Sequence, residues 1–177
     1  MSLAYVGVKG GMVIVSADDP GPISSQTEQD TRRFADFCRI PVFDPSSPEE
    51  AYKMIGEAFE YSEKYNTPVL FRPTTRVCHA YASIDNCDSP SPKKYEGFVK
   101  DSKKWVIFPR LSFANHIMIE KRNVEIGKDF STYSANKAEG VNSEKAVVTS
   151  GISYAYTKEC LKDYPDVKLI KIAPAYP

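Results

Sequence analysis

The residues best suited to chemistry in this 177-residue chain fall in two short stretches. Asp18-Asp19-Pro20-Gly21-Pro22 leads into Ser24, Ser25, Gln26 and Glu28, and Arg72-Pro73 leads into Thr74-Thr75-Arg76. Each stretch follows an apolar run that reads as a strand. In open α/β sheets, ligands collect outside the carboxyl ends of the strands. Free amides and the positive end of a helix starting there favour an anion such as a carboxylate. Ser24, Ser25 and Gln26 are therefore expected to line a pocket. Ser25 and Glu28 also fit a capping box, a purely structural role, whereas no cap requires Gln26. Arg76 can pair with a carboxylate or a diphosphate, because a guanidinium matches either bidentately. Its other reading is a salt bridge within its own domain or to a partner domain. Asp18 and Asp19 are paired carboxylates without a magnesium motif around them, and a loop-capping role before Pro20 accounts for them.

The remaining reactive side chains do not assemble into a centre. Cys38, Cys78, Cys87 and Cys160 form no C-x-x-C, and His79 and His116 add no metal-ligand spacing to them. Zinc and iron–sulfur ligation need clustered soft ligands. Neighbours in a strand point to opposite faces, so Cys78 and His79 cannot easily share a metal or act as nucleophile and base. Buried or idle thiols are the expectation, in keeping with a reducing compartment. Twenty-three basic residues balance 23 acidic ones, so the electrostatic footprint of a nucleic-acid binder is missing. Five lysines between Lys93 and Lys104 stand against Glu96 and Asp101 and read as a solvated connector. No apolar run reaches the ~18 residues of a membrane span, and no signal-like segment opens the chain. A cytoplasmic protein without membrane or nucleic-acid partners is expected.

The elements that must position these residues are legible. Residues 11–17 form an apolar, β-branched run of the kind found in a parallel strand covered on both faces. A helix is expected from Ser25, with Phe34, Phe37 and Cys38 on its apolar side. Pro41-Val42-Phe43 is a second strand. Ser47-Pro48-Glu49-Glu50 carries an N-cap, a proline at the first helical position and a capping glutamate. Ala51, Ile55, Ala58 and Phe59 then make a one-face stripe, Lys64 suits the helix end, and Asn66-Thr67-Pro68 stops it. Val69-Leu70-Phe71 is a third buried strand. This order describes parallel βαβ units. Beyond Ala82, Asp85–Lys94 is a polar linker. Trp105–Phe108 reads as an isolated strand. A long helix covers Leu111 to about Phe130, with Phe113, Ile117 and Val124 facing one way. A second βαβ unit begins at Val147-Val148, continues through a helix over Ile152–Leu161 and reaches Val167–Ile172. Tyr154 and Tyr156 cannot share a face of that helix. Gly7-x-x-Gly10-Gly11 precedes its strand rather than following it, and so reads as a turn and not a phosphate loop.

Five segments carry a resemblance: Gly10–Pro20, Ser24–Arg32, Ile40–Tyr52, Pro68–Val77 and Val147–Tyr156. In them the chain resembles the alpha subunits of indolepyruvate:ferredoxin oxidoreductases, thiamine-diphosphate enzymes of the 2-oxoacid:ferredoxin oxidoreductase superfamily. The resemblance covers roughly two thirds of the chain, most loosely over 83–143, and family members are several times longer. It implies an α/β fold made of part of a parallel-sheet pyrimidine-binding domain (the C-terminal half, residues 1–82), a linker with a long helix (83–143), and the start of a transketolase C-terminal-like domain (144–177).

The intact enzymes of this family decarboxylate aryl pyruvates oxidatively to acyl-coenzyme A and pass electrons to ferredoxin. The resemblance therefore implies thiamine diphosphate, Mg2+ and iron–sulfur clusters as cofactors, and a beta subunit, ferredoxin and coenzyme A as partners. The glutamate that activates the cofactor lies outside the matching segments, so no catalytic residue and no metal ligand is assigned here. This piece is expected to bind no cofactor and to be inactive alone. Two parallel strands with one crossover helix cannot cover both faces of a sheet. The chain is accordingly expected to be cut from a larger protein at both ends, or to complete its sheets by association, with strand edges open to self-association. The rival reading is a non-catalytic α/β association module that docks onto a partner chain.

Overall fold

The computed structural model describes residues 1–86 and 97–177. Cys87, most of the linker and residues 93–96 of the lysine-rich stretch read from the sequence lie outside them. Along the chain run α1 (Ser2–Val6), β1 (Val13–Val15), α2 (Arg32–Cys38), β2 (Val42–Phe43), α3 (Pro48–Tyr65), β3 (Val69–Phe71) and α4 (Thr75–Cys78). They are followed by α5 (Ser102–Trp105), α6 (Pro109–Ser131), β4 (Lys137–Glu139), β5 (Ala146–Thr149), α7 (Gly151–Cys160), β6 (Lys168–Lys171) and β7 (Pro174–Tyr176). Among the described residues no helix is long and apolar enough to cross a membrane.

Two small sheets result. The first has the order β1-β3-β2-β7, with β1 and β2 parallel to β3 and β7 antiparallel to β2. The second has the order β4-β6-β5, with β5 parallel and β4 antiparallel to β6. The expected βαβ units are therefore present in both, and each sheet carries one antiparallel edge that the sequence pattern did not announce.

Period-two alternation decides which side chain goes where. Val42 pairs with Leu70, and Phe43 with Phe71. Phe43, Val69 and Phe71 join Met54 and Ala58 of α3 and Ile126 and Phe130 of α6 in one core. Val42 and Leu70 turn the other way, onto Ala4, Ala35, Cys38 and Ile40. Phe43 is the centre of the larger core: Tyr61, Phe130 and Tyr133 meet its ring edge-on at 5.3–5.6 Å. Such geometry adds roughly 0.5–1.5 kcal/mol per pair beyond area burial.

Several local expectations are corrected. β1 is not covered on both faces: Ile14 is 39% and Val15 61% exposed, because β1 is the free edge of its sheet. In α2 only Cys38 of the three expected apolar residues is buried; Phe34 (52% exposed) and Phe37 (67%) face outward while Ala35 packs inside. In α3, Met54, Ala58 and Ser62 are the buried positions and Phe59 is exposed. In α6, Phe113, Ile117 and Val124 do share an outer character, and Ile119, Ile126 and Phe130 are the ones packed inward. The isolated strand expected at Trp105–Phe108 is not made: Trp105 ends the single helical turn of α5, which Asp101 caps, and residues 106–108 belong to no strand.

The cap of α3 is formed almost as its sequence demands. Ser47 Oγ accepts from the Glu50 amide at 3.2 Å, and Pro48 occupies the first helical position. The Glu50 carboxylate reaches one residue further back than a capping box requires, accepting from Ser46 N (2.6 Å) and Ser46 Oγ (2.7 Å). Its other oxygen meets the buried Lys171 of β6, whose ammonium also lies 4.8 Å from the Tyr154 ring centre. This ion pair and the β2–β7 pairing tie the second sheet to the first.

Candidate functional site

Three parallel strands of the first sheet each deliver a charged residue at the carboxyl end. Asp18 follows β1 by three residues, Asp44 follows β2 directly and Arg72 follows β3 directly. All three are buried, Arg72 at 2% exposure. Arg72 Nε donates to Asp18 Oδ2 at 2.5 Å, Nη1 stands 3.2 Å from both Asp44 oxygens, and Nη2 lies 3.4 Å from Asp30 Oδ1. Charges at this depth survive only when paired and hydrogen-bonded. Asp18 takes further bonds from Thr31 N (2.6 Å), Thr31 Oγ1 and Ser16 Oγ. Asp30 is also gripped by Arg32, a contact that holds its carboxyl down at about 2. Three carboxylates share two guanidiniums here. Asp44 is the one whose carboxyl is pushed up, because burial outweighs its contact with Arg72.

Asp19 organises the adjoining loop. Its Oδ2 accepts from the amides of Ile23 (2.9 Å), Ser24 (2.7 Å) and Ser25 (2.7 Å), and its Oδ1 from Thr75 Oγ1 (3.0 Å). The bonds from Ser25 and Ser24 lead in holding the carboxyl down at about 2. The same bonds explain why no helix starts at Ser25. Its amide is committed to Asp19 in a turn, and α2 begins only at Arg32, where Asp18 binds the Thr31 amide from a neighbouring strand end. The Ser25-x-x-Glu28 capping box is therefore not made. Asp18 and Asp19 do cap a loop, as their position before Pro20 suggested.

Above this network lies a cavity of about 440 Å3. Arg32, Arg72 and Arg76, the carboxylates of Asp19 and Asp44, and Thr74 contribute its polar wall, with Ile23 and Tyr156 among its apolar lining. Ser150, Ile152 and Ser153 bring the N-terminus of the ten-residue α7 to it. Thr74 is 3% exposed, and its hydroxyl has no partner among the described residues. Three arginines against two aspartates, a helix N-terminus and an unspent buried hydroxyl together suit an anionic group.

Of the residues marked from the sequence, Arg76 lines this cavity and is itself exposed. Ser24 is exposed and Ser25 half-buried, both with amides bound to Asp19. Gln26 and Glu28 are exposed on the same loop, whose Pro20 and Ile23 do reach the cavity. Arg72 has no role assigned to it by spacing in the sequence. The signal that finds it is repetition: Val-Ile-Val-Ser-Ala-Asp18, Val-Phe-Asp44 and Val-Leu-Phe-Arg72 each end a strand-like run on a charge. Tyr156 belongs to the cavity and Tyr154 to the interior, on different faces of α7 as their spacing requires.

No family model matches the chain. Curated relatives do. It is 37% identical to the indolepyruvate oxidoreductase subunit IorA of Pyrococcus horikoshii, across all of this chain and 28% of that protein. It is 38% identical to the subunit of the same name from Thermococcus kodakarensis and 33% identical to that from Methanothermobacter marburgensis, in each case over all of this chain and 29% of the relative. The chain thus spans less than a third of the length of the relatives it matches. Among solved structures it is similar to a 2-oxoglutarate:ferredoxin oxidoreductase from Magnetococcus marinus, with a TM-score of 0.59 at 14% identity, over 96% of this chain and 38% of that one. That protein was solved with 2-oxoglutarate, coenzyme A and succinyl-CoA bound. By sequence the chain is similar, along its whole length, to one segment of the indolepyruvate oxidoreductase IorA subunits, and its mixed α/β architecture with parallel sheet elements is similar to the 2-oxoacid:ferredoxin oxidoreductase fold.

Proposed function

We propose that this segment serves a thiamine-diphosphate-dependent enzyme that decarboxylates indolepyruvate and other aryl pyruvates oxidatively to acyl-CoA, with ferredoxin as electron acceptor. The observation that carries this reading is the match of the whole chain to IorA subunits from several archaea. In the proposal, residues 1–82 are the C-terminal half of a pyrimidine-binding domain, 83–143 connect, and 144–177 open a transketolase C-terminal-like domain. A beta subunit, ferredoxin and coenzyme A are the partners, in the cytoplasm.

Thiamine diphosphate, when bound, supplies the electron sink for decarboxylation. The residues of this chain have a simpler task. Arg76, Thr74 and the start of α7 would bind an anionic group, a carboxylate or diphosphate, in the 440 Å3 cavity. Arg72 and Asp44 would hold the two walls of that cavity in place from beneath. Ser24, Ser25, Gln26 and Glu28 would border it on the loop that Asp19 folds. Magnesium and iron–sulfur clusters find no donor set here: among the described residues no group of three His, Cys, Asp or Glu is placed to hold a metal ion, and Asp18, Asp30 and Asp44 converge on Arg72 instead. They would be held by sequence outside this segment.

The test uses the intact subunit assembled with its partner subunit, assayed for CoA-dependent ferredoxin reduction by indolepyruvate. Arg76→Ala should lower kcat/KM about tenfold or more, the worth of one charge-assisted bond. Gln26→Ala should lower it less. Unchanged values in both would remove the pocket assignment, and absence of ferredoxin reduction by the wild type would remove the enzyme reading. The free edge of β1, with exposed Met12, Ile14 and Val15, favours the rival association module. That reading stands if the full subunit binds a partner chain yet turns over no 2-oxoacid.

A further inference from the structure

The opposite end of the first sheet holds a second cleft, of about 650 Å3, beside Gly7 and Asn66 and therefore at the amino end of β3. α1 and α6 form its apolar floor and walls with Tyr5, Leu111, Met118 and Ile119. Its charged residues are unevenly matched. Lys64 is paired with Asp129, and Glu125 with Lys128 at 2.8 Å, so the acids nearby are already engaged. Arg122 is not. It is half-buried, its Nε is buried without a partner among the described residues, and its closest bond is a long one, 3.5 Å from Nη2 to the Arg39 carbonyl. Lys103 and Lys104 stand at the rim with no carboxylate partner among the described residues.

A buried guanidinium nitrogen without an acceptor carries a desolvation cost that an anion would remove. The same burial pulls the arginine down to about 10, which an incoming negative charge would reverse. Of the four cations that line the cleft, Lys64 is paired, Lys103 and Lys104 stand at the rim, and Arg122 is the one with a buried nitrogen lacking an acceptor among the described residues. The wall around Arg122 is mostly apolar, so a second buried negative charge would go unmatched beside it. A single carboxylate on a hydrocarbon or aromatic body satisfies both halves. We infer that the α1–α6 cleft binds an amphipathic monocarboxylate, its head on Arg122 and its tail along Leu111, Met118 and Ile119. This site is remote from the cavity at the carboxyl ends of the strands and does not depend on the function proposed for it.

Decanoate is the probe. Equilibrium dialysis of labelled decanoate against the 177-residue chain, below its micellar range, should give one saturable site. Trp105, the only tryptophan and the neighbour of Lys104, should change its emission as the site fills. Arg122→Met should weaken binding about tenfold or more, and Arg122→Lys should fall between it and the wild type. Because Arg122 is partly buried, Met118→Asp at an exposed wall position is the second variant. It should lower affinity to a similar degree by setting a like charge beside the ligand. Decanol should bind at least about tenfold more weakly than decanoate, for want of the charged head. Non-saturable uptake, equal binding of decanol, displacement of decanoate by equimolar inorganic phosphate, or wild-type affinity in both Arg122→Met and Met118→Asp would overturn the inference.

Discussion

Gly151 and Asp44 are in such close approach that a Cβ on the glycine would stand 2.5 Å from Asp44 Oδ1. The glycine also holds a φ of +52°, a conformation L side chains rarely adopt. The start of α7 is thereby set against the carboxyl end of β2, and the second βαβ unit is fixed relative to the first. Gly151→Ala should cost about 1–3 kcal/mol from backbone strain alone, with the clash added. Chemical denaturation measures it. Combining it with Asp44→Ala should return the part due to the clash and leave the part due to φ, which a double-mutant cycle separates.

Among the described residues Arg72 is the only side chain ion-paired with Asp18, Asp44 and Asp30 together. Arg72→Met keeps much of the volume but leaves two buried carboxylates without their counter-ion. The expected loss is about 3–5 kcal/mol, characteristic of breaking a buried pair from one side. A urea midpoint within error of wild type would contradict the hub.

The Asp19 carboxyl is held at about 2 by the Ser25, Ser24 and Ile23 amides, against an ordinary aspartate value near 4. A depressed acid contributes stability that is fully present above the unfolded pKa and lost as pH falls through the folded one. Stability should therefore decline between about pH 4 and pH 2 in part through this residue. Asp19→Asn should flatten that section of a stability-versus-pH curve and loosen the 19–25 turn, seen as faster amide exchange at Ser24 and Ser25.

The orientation of α2 is checked by contrast. Phe43→Ala removes the ring on which three aromatic neighbours converge and should cost about 3–5 kcal/mol. Phe37→Ser, on the exposed face of α2, should stay within about 0.5 kcal/mol. A large loss at Phe37 would restore the inward-facing helix that the apolar spacing suggested.

What the sequence determined by itself was local and periodic. Ser47, Pro48 and Asn66 bound α3 because capping chemistry acts over three or four residues. Val69-Leu70-Phe71 is a buried strand because three β-branched or large apolar residues in a row have no polar face to expose. Both βαβ units follow from that alternation.

The tertiary structure decided everything that needed a partner far along the chain. Ser25 fails to start a helix because its amide is bound by Asp19, which Thr75 holds from 56 residues along the chain, and α2 turns its phenylalanines outward because Ala35 and Cys38 fit the space beside Leu70. β7 becomes a strand by pairing with Val42 and Phe43, some 130 residues earlier. Arg72 is the centre of the site only in the folded chain, since a buried charge is defined by loops that folding brings within reach of it. Spacing encodes elements, whereas a network of buried charges exists only once the elements have met.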